Sequence, residues 1–153
     1  KSTLEKELEV SASYLALEAL SFDDTFNYSI EVDENVDPSF ISLPPLILQP
    51  YIENALIHGL SSKEGEKWLR IQVKDTGDLV KCIIDDNGIG IQDKTTLGPT
   101  LANPKQSLGR KLSEERISVF NKIYDTRISV DTINKSNGKG HSVGTRIEFQ
   151  IQY

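Results

Sequence analysis

Residues Leu79 to Ile84, LVKCII, form a near-continuous apolar run that stops at once on Asp85-Asp86-Asn87-Gly88-Ile89-Gly90. That is the pattern of a strand lying in the interior of a sheet. Just upstream, Leu69, Ile71 and Val73 alternate with polar residues and Thr76-Gly77-Asp78 turns the chain, so the two segments read as a β-hairpin. Phe26, Tyr28, Ile30 and Val32 alternate as a strand exposed on one side. Ile128 to Val130 and Val143 to Ile151 predict a second hairpin around Asn137-Gly138-Lys139-Gly140.

Three segments carry helical spacing. Leu4, Leu8, Ala12, Leu15, Ala19 and Phe22 share one face, widened by Val10, Tyr14 and Leu17. A face that wide asks for more than one neighbour, or for one neighbour and a partner helix. Residues 1–22 therefore read either as a packing helix of the same domain or as the end of a dimerisation helix, the latter reading making 23–153 a separate domain. After Leu43-Pro44-Pro45, the residues Leu46, Ile47, Tyr51, Ala55 and Ile57 suit a buried helix that stops at Gly59. Leu108, Leu112, Ile117, Phe120 and Tyr124 mark a helix over roughly 109–124. Between the hairpin and that helix, residues 85–108 hold few periodic apolar positions, and a loop of that length is usually functional or disordered. The order predicts a two-layer α/β sandwich: a mixed sheet of about five strands with helices on one face.

Composition narrows the function classes. The chain has 153 residues and a net charge of −6, with no long basic run, so nucleic acid is not an expected partner. No apolar stretch approaches the roughly 20 residues that cross a bilayer. Cys82, alone within VKCII, reads as a core position. The absence of methionine and a start already in a helical pattern suggest a piece of a longer protein.

Four short segments carry chemistry. Glu53-Asn54-Ala55-Leu56-Ile57-His58-Gly59 puts an amide and an imidazole four residues apart on one helix face. An Asn carbonyl there can join phosphate oxygens and water around Mg²⁺, although a hydrogen bond to neighbouring backbone would satisfy the same side chain. Asp86, at the strand end, can accept from an exocyclic amine, and Gly88 and Gly90 let a flat ligand approach the backbone; the same residues also fit a plain turn. Ser107-Leu108-Gly109-Arg110-Lys111 opens a helix with a Gly and two cations, which suits polyphosphate or an ordinary solvated helix start. Gly144-Thr145-Arg146-Ile147 opens the last strand. Neither a dinucleotide-binding nor a P-loop glycine pattern is present.

Together these segments resemble the four ATP-binding boxes of the gyrase, heat-shock chaperone, histidine kinase and mismatch-repair ATPase superfamily. LPPLILQPYIENALIHG at 43–59, LEKELEVSASYLALEALSF at 4–22 and SLGRKLSEERISVFN at 107–121 are similar to the LytS/YehU-type sensor histidine kinases. The resemblance implies the Bergerat ATP-binding fold and ATP and Mg²⁺ as ligands. It assigns Asn54 to the metal and names Asn54 and Glu53 as candidate catalytic residues. His58, Asp86, Gly88, Gly90, Ser107, Leu108, Gly109, Arg110, Lys111 and Thr145 become candidate nucleotide contacts, Gly109 as an amide donor to phosphate, with residues 91–106 as a lid. It further implies a homodimeric parent anchored in the inner membrane, this domain being cytoplasmic, and a response regulator of LytTR type as partner.

Departures accompany the resemblance. Ile57 stands where the family has a basic residue, Ser107 where it has Gly, Arg110 where it has Leu, and Ser21 where Arg is common. These leave open a degenerate nucleotide-binding or scaffold domain. An ATPase of the gyrase type would need a Glu four residues before Asn54; that position is Pro50, and Glu53 points elsewhere on the helix. Neither His58 nor His141 lies in the family's phosphoacceptor context, so the chain alone is not expected to phosphorylate itself.

Overall fold

The computed structural model describes residues 1–90 and 104–153, with side chains in the last helix from 108 onward. In chain order the elements are β1 (Ser2–Thr3), α1 (Leu4–Ala19), β2 (Phe26–Val32), β3 (Ser42–Leu43), α2 (Gln49–Asn54), β4 (Lys67–Asp75), β5 (Val80–Asp86), α3 (Pro104–Tyr124), β6 (Arg127–Ser136) and β7 (Ser142–Gln152). Helix α2 runs without a break into wider π-helical turns over Ala55–Leu60.

Five strands make the main sheet, in the order β2-β4-β5-β7-β6. β2 and β4 are parallel and every other pair is antiparallel, so the sheet is mixed, as expected. The central place of β5 accounts for its apolar sequence: Val80, Cys82, Ile83 and Ile84 are all buried. Register aligns the core in rows across three strands. Ile71, Ile84 and Ile147 lie abreast, as do Val73, Cys82 and Phe149. Leu48, Ile52, Leu56, Ile117 and Phe120 from α2, its wide turns and α3 join the same core cluster. Fully burying a side chain such as Phe149 contributes about 1.5–3 kcal/mol. The other sheet face carries residues such as Arg70, Gln72, Lys81 and Glu148, which accounts for the alternation in β4 and β7.

Helix α1 opens with Thr3, whose hydroxyl accepts from the Lys6 amide at 3.3 Å. Its buried residues are Leu4, Glu7, Leu8, Ser11 and Leu15. The first three leucines of the sequence pattern therefore belong to the core of this domain, while Val10 and Leu17 face outward at 43% and 64% exposure. That split explains the width of the apolar face seen in sequence.

Two helix starts differ from the sequence reading, and β6 runs on to Ser136 where the sequence predicts a strand only over Ile128 to Val130. The helix expected from Leu46 begins at Gln49, because Leu46 adopts a left-handed backbone with φ +54. An L-residue held there costs about 1–2 kcal/mol, so the surroundings must enforce it. The helix expected near 109 begins at Pro104, a residue whose fixed φ suits a first turn.

Candidate functional site

The site gathers at the carboxyl end of β5. The last β5–β7 pair is Asp85 with Arg146, and Asp86 follows where the strands part. Its Oδ1 accepts from the Gly88 amide at 2.8 Å and from the Thr145 amide at 3.3 Å, and the residue is only 3% exposed. Burial raises its pKa above the usual carboxylate range; the two backbone amides and the Lys135 charge offset this only in part.

Glycines from three elements close around that carboxylate. A Cβ on Gly88 would lie 2.6 Å from the Gly59 carbonyl carbon, and one on Gly144, at φ +135, would lie 2.0 Å from the Asp86 carbonyl oxygen. Neither contact is sterically possible, so the chain must be bare at both places. The Ile89 amide donates to the Gly59 carbonyl at 3.0 Å, which ties the end of the α2 helical stretch to the loop after β5. Sequence alone marks Gly59 only as a helix stop. Its contact with Gly88 joins elements about 30 residues apart, and no local pattern announces it.

The two adjacent aspartates have separate fates because successive strand side chains point to opposite faces. Asp85 is neutralised on the far face: Lys135 Nζ lies 2.5 Å from Oδ1, a charge contact rather than a well-directed hydrogen bond, and Arg146 donates to Oδ2 at 3.2 Å. Asn87 is structural, accepting from the Trp68 amide at 2.8 Å and donating to the Glu66 carbonyl at 3.0 Å. Gly90, at φ +75, packs on Ser142 and Asn134 of the last hairpin, so it anchors the loop there and is not part of the Asp86 cradle.

Asn54 stands where the α-helical turns give way to π-helical ones, a change that recurs at functional sites. The Ser61 amide reaches back five residues to the Leu56 carbonyl at 2.9 Å. Asn54 and His58 are both half-buried, and among the described residues no hydrogen bond or ion pair occupies the Asn54 amide. Glu53 turns the other way: its carboxylate accepts from Gln49 Nε2 at 3.2 Å and its charge bears on the Tyr14 hydroxyl of α1. Its carboxylate is thus engaged by α2 and α1 rather than by the residues around Asp86. Ile57, at the family's basic position, is 56% exposed.

On α3, Leu108, Arg110 and Lys111 are exposed and Gly109 is half-buried. Because α3 starts at Pro104, Gly109 lies past the first four residues, whose amides are the free ones. The expectation of Gly109 as an amide donor at a helix start is therefore corrected. Ser107 lies in the same first turns. The expected lid falls over 91–103 outside the described residues. Among those described, no cluster of three His, Cys, Asp or Glu could hold a metal, and no helix is long and apolar enough to cross a membrane. A groove of about 380 Å³ lies elsewhere, lined by Pro44, Pro45, Leu112, Arg116, Phe120 and Tyr124 among others, and shares no residue with this site.

No family model matches the chain. Among curated proteins it is 34% identical over 111 residues to YwpD of Bacillus subtilis, covering 72% of this chain and 39% of that one. It is 33% identical over 113 residues to the sensor histidine kinase/phosphatase LytS of Staphylococcus aureus, covering 72% of this chain and 19% of that one. The chain is a relative of the LytS sensor kinases. Its fold is that of a histidine kinase catalytic domain: the nucleotide-free catalytic domain of the histidine kinase ThkA superposes with a TM-score of 0.60 at 12% identity, over 98% of this chain and 93% of that one. The chain thus spans well under half the length of these curated relatives.

Proposed function

We propose that this chain is the ATP-binding catalytic domain of a two-component sensor histidine kinase, transferring the γ-phosphoryl group of ATP to a histidine other than His58 and His141. The observation that carries the reading is the buried Asp86 carboxylate, with one oxygen fixed by two backbone amides where glycines let three chain segments pack closely. A carboxylate held this way has an acceptor left for an exocyclic amine such as that of adenine. Asn54, half-buried and unengaged, fits as a single neutral oxygen ligand to a cation that is otherwise held by phosphates and water. Asn54 would hold Mg²⁺ there, and the chemistry the ion would supply is neutralisation of charge on the phosphates.

The chain's own part is binding and orientation. Asp86 and the Thr145 amide fix the adenine end, Asn54 and His58 line the phosphate end, and Arg110 and Lys111 supply exposed cations for the phosphates in place of the basic residue lost at Ile57. Ser107, Leu108 and Gly109 hold that helix end near them. Phosphoryl transfer asks little more of a protein than such positioning and charge neutralisation.

Residues 1–22 belong, in this reading, to the end of a dimerisation helix, whose exposed Val10, Leu17 and Leu20 would meet a partner helix in a homodimeric parent. The parent is a membrane sensor with this domain in the cytoplasm, and its relay partner is a response regulator of LytTR type. The test is to supply the chain with ATP, Mg²⁺ and the histidine-bearing helical segment of the parent as a separate polypeptide. Acid-labile phosphate should appear on the segment's histidine, and Asp86→Asn should abolish it. A chain that binds nucleotide yet labels no histidine would overturn the kinase reading.

A further inference from the structure

The entrance to α2 is not capped from within its own segment, since Leu48 makes no side-chain cap. The turn that leads into it is held by Glu7 of α1. One carboxylate oxygen accepts from the Leu46 amide at 2.9 Å and the other from the Ile47 amide at 3.0 Å, and Glu7 is only 3% exposed. The turn it grips contains Leu46 at φ +54, a backbone that its half-exposed side chain does little to stabilise through packing. The same turn is held from α3, where the Arg116 guanidinium donates to the Pro45 carbonyl. Just before it, Ser2 and Thr3 pair with Leu43 and Ser42, and the Leu4 amide donates to the Ile41 carbonyl at 2.8 Å.

The far end of the same helical stretch is pinned separately. Gly59 is locked against Gly88 and accepts from the Ile89 amide, both on the loop after β5. Asn54 lies between these two fixed points. Slackening the Glu7 end would swing the helix about Gly59, moving Asn54 while leaving the cradle of Asp86, Gly88 and Gly144 on the sheet in place.

We propose that Glu7 is a positioning residue for the phosphate end of the site: by gripping the Leu46 and Ile47 amides it sets where Asn54 stands, so α1 and the Mg²⁺ ligand move together. This rests on the nucleotide-binding reading above. It gives α1, the element that would join this domain to a partner helix, a direct mechanical hold on the metal-binding end, while the adenine end stays fixed by the sheet and by the Gly59–Gly88 contact.

The experiment is calorimetric titration of the wild-type chain, Glu7→Gln and Glu7→Asp with adenosine, and with ADP in the presence and absence of Mg²⁺. Glu7→Gln should bind adenosine within about twofold of wild type, while the gain in ADP affinity that Mg²⁺ confers falls about tenfold, the scale typical when a supporting residue of a metal ligand is lost. Glu7→Asp keeps the charge but is too short to hold both amides, and should recover part of that gain. Equal losses for adenosine and Mg·ADP, or an unchanged gain, would overturn the proposal; if Glu7→Gln does not fold, the same ratio in Glu7→Asp decides. Should the wild type bind none of the three, the nucleotide reading itself fails. Glu7's role is then read from nuclear magnetic resonance: a shifted Asn54 side-chain amide with unmoved Gly88 and Thr145 amides supports it, and an unmoved Asn54 signal overturns it.

Discussion

Asp86 is expensive to keep. Burial raises its pKa, so the folded state holds a proton on this group more readily than the unfolded chain does. The sign follows: the group favours folding at low pH, and that contribution is lost as pH rises through the window between the ordinary carboxylate range and the raised value. Asp86→Asn keeps an oxygen for the Gly88 and Thr145 amides and removes the buried charge. It should therefore raise the melting temperature at neutral pH, with the advantage shrinking as the pH falls through that window, while nucleotide affinity drops at least about tenfold, as expected when a hydrogen bond to a charged group is lost. Thermal unfolding across pH, beside titration with nucleotide, checks both halves. Gly88→Ala should instead destabilise by about 1–3 kcal/mol, because its methyl group would press on the Gly59 backbone; urea unfolding measures it. At this scale the sequence was partly legible. Asp86, Gly88 and Gly144 stood out because strand ends and glycines are local signals. Gly59, Glu7 and the division of labour between Asp85 and Asp86 were not, since each depends on partners distant in sequence.

Among the elements, β5 was the most readable, its apolar run matching its central place in the sheet. Cys82 is fully buried in it, and burial pushes its thiol up to about 12. Alkylation of the native protein at neutral pH should therefore be negligible and should follow global unfolding as urea is added, which mass spectrometry can time. The helices were legible as faces and poorly legible as boundaries. The α-to-π change at Asn54 and the left-handed Leu46 arise from tertiary contacts with Asp86's loop, Glu7 and Arg116, which no periodicity encodes. The early start of α3 was hidden because a proline reads equally as a loop residue and as a first helical turn. For α2 the expected outcome is that Asn54→Ala leaves the fold and adenosine binding intact and removes most of the Mg²⁺ dependence of ADP binding, read by titration.

At the scale of the whole molecule, the mixed five-stranded sheet and the helical layer followed from counting elements. The strand order β2-β4-β5-β7-β6 did not, because it depends on pairing between distant segments. The resemblance to LytS-type kinases gave the same architecture that the superposed kinase domain has. The central claim is that this architecture holds a nucleotide with its base at Asp86 and its cation at Asn54. The most direct measurement is calorimetric titration with a non-hydrolysable ATP analogue, with and without Mg²⁺, of the wild type beside Asp86→Asn and Asn54→Ala. The account predicts binding by the wild type, loss in Asp86→Asn under both conditions, and weakening in Asn54→Ala only when Mg²⁺ is present. Wild-type binding that neither substitution alters, or no binding at all, would contradict it.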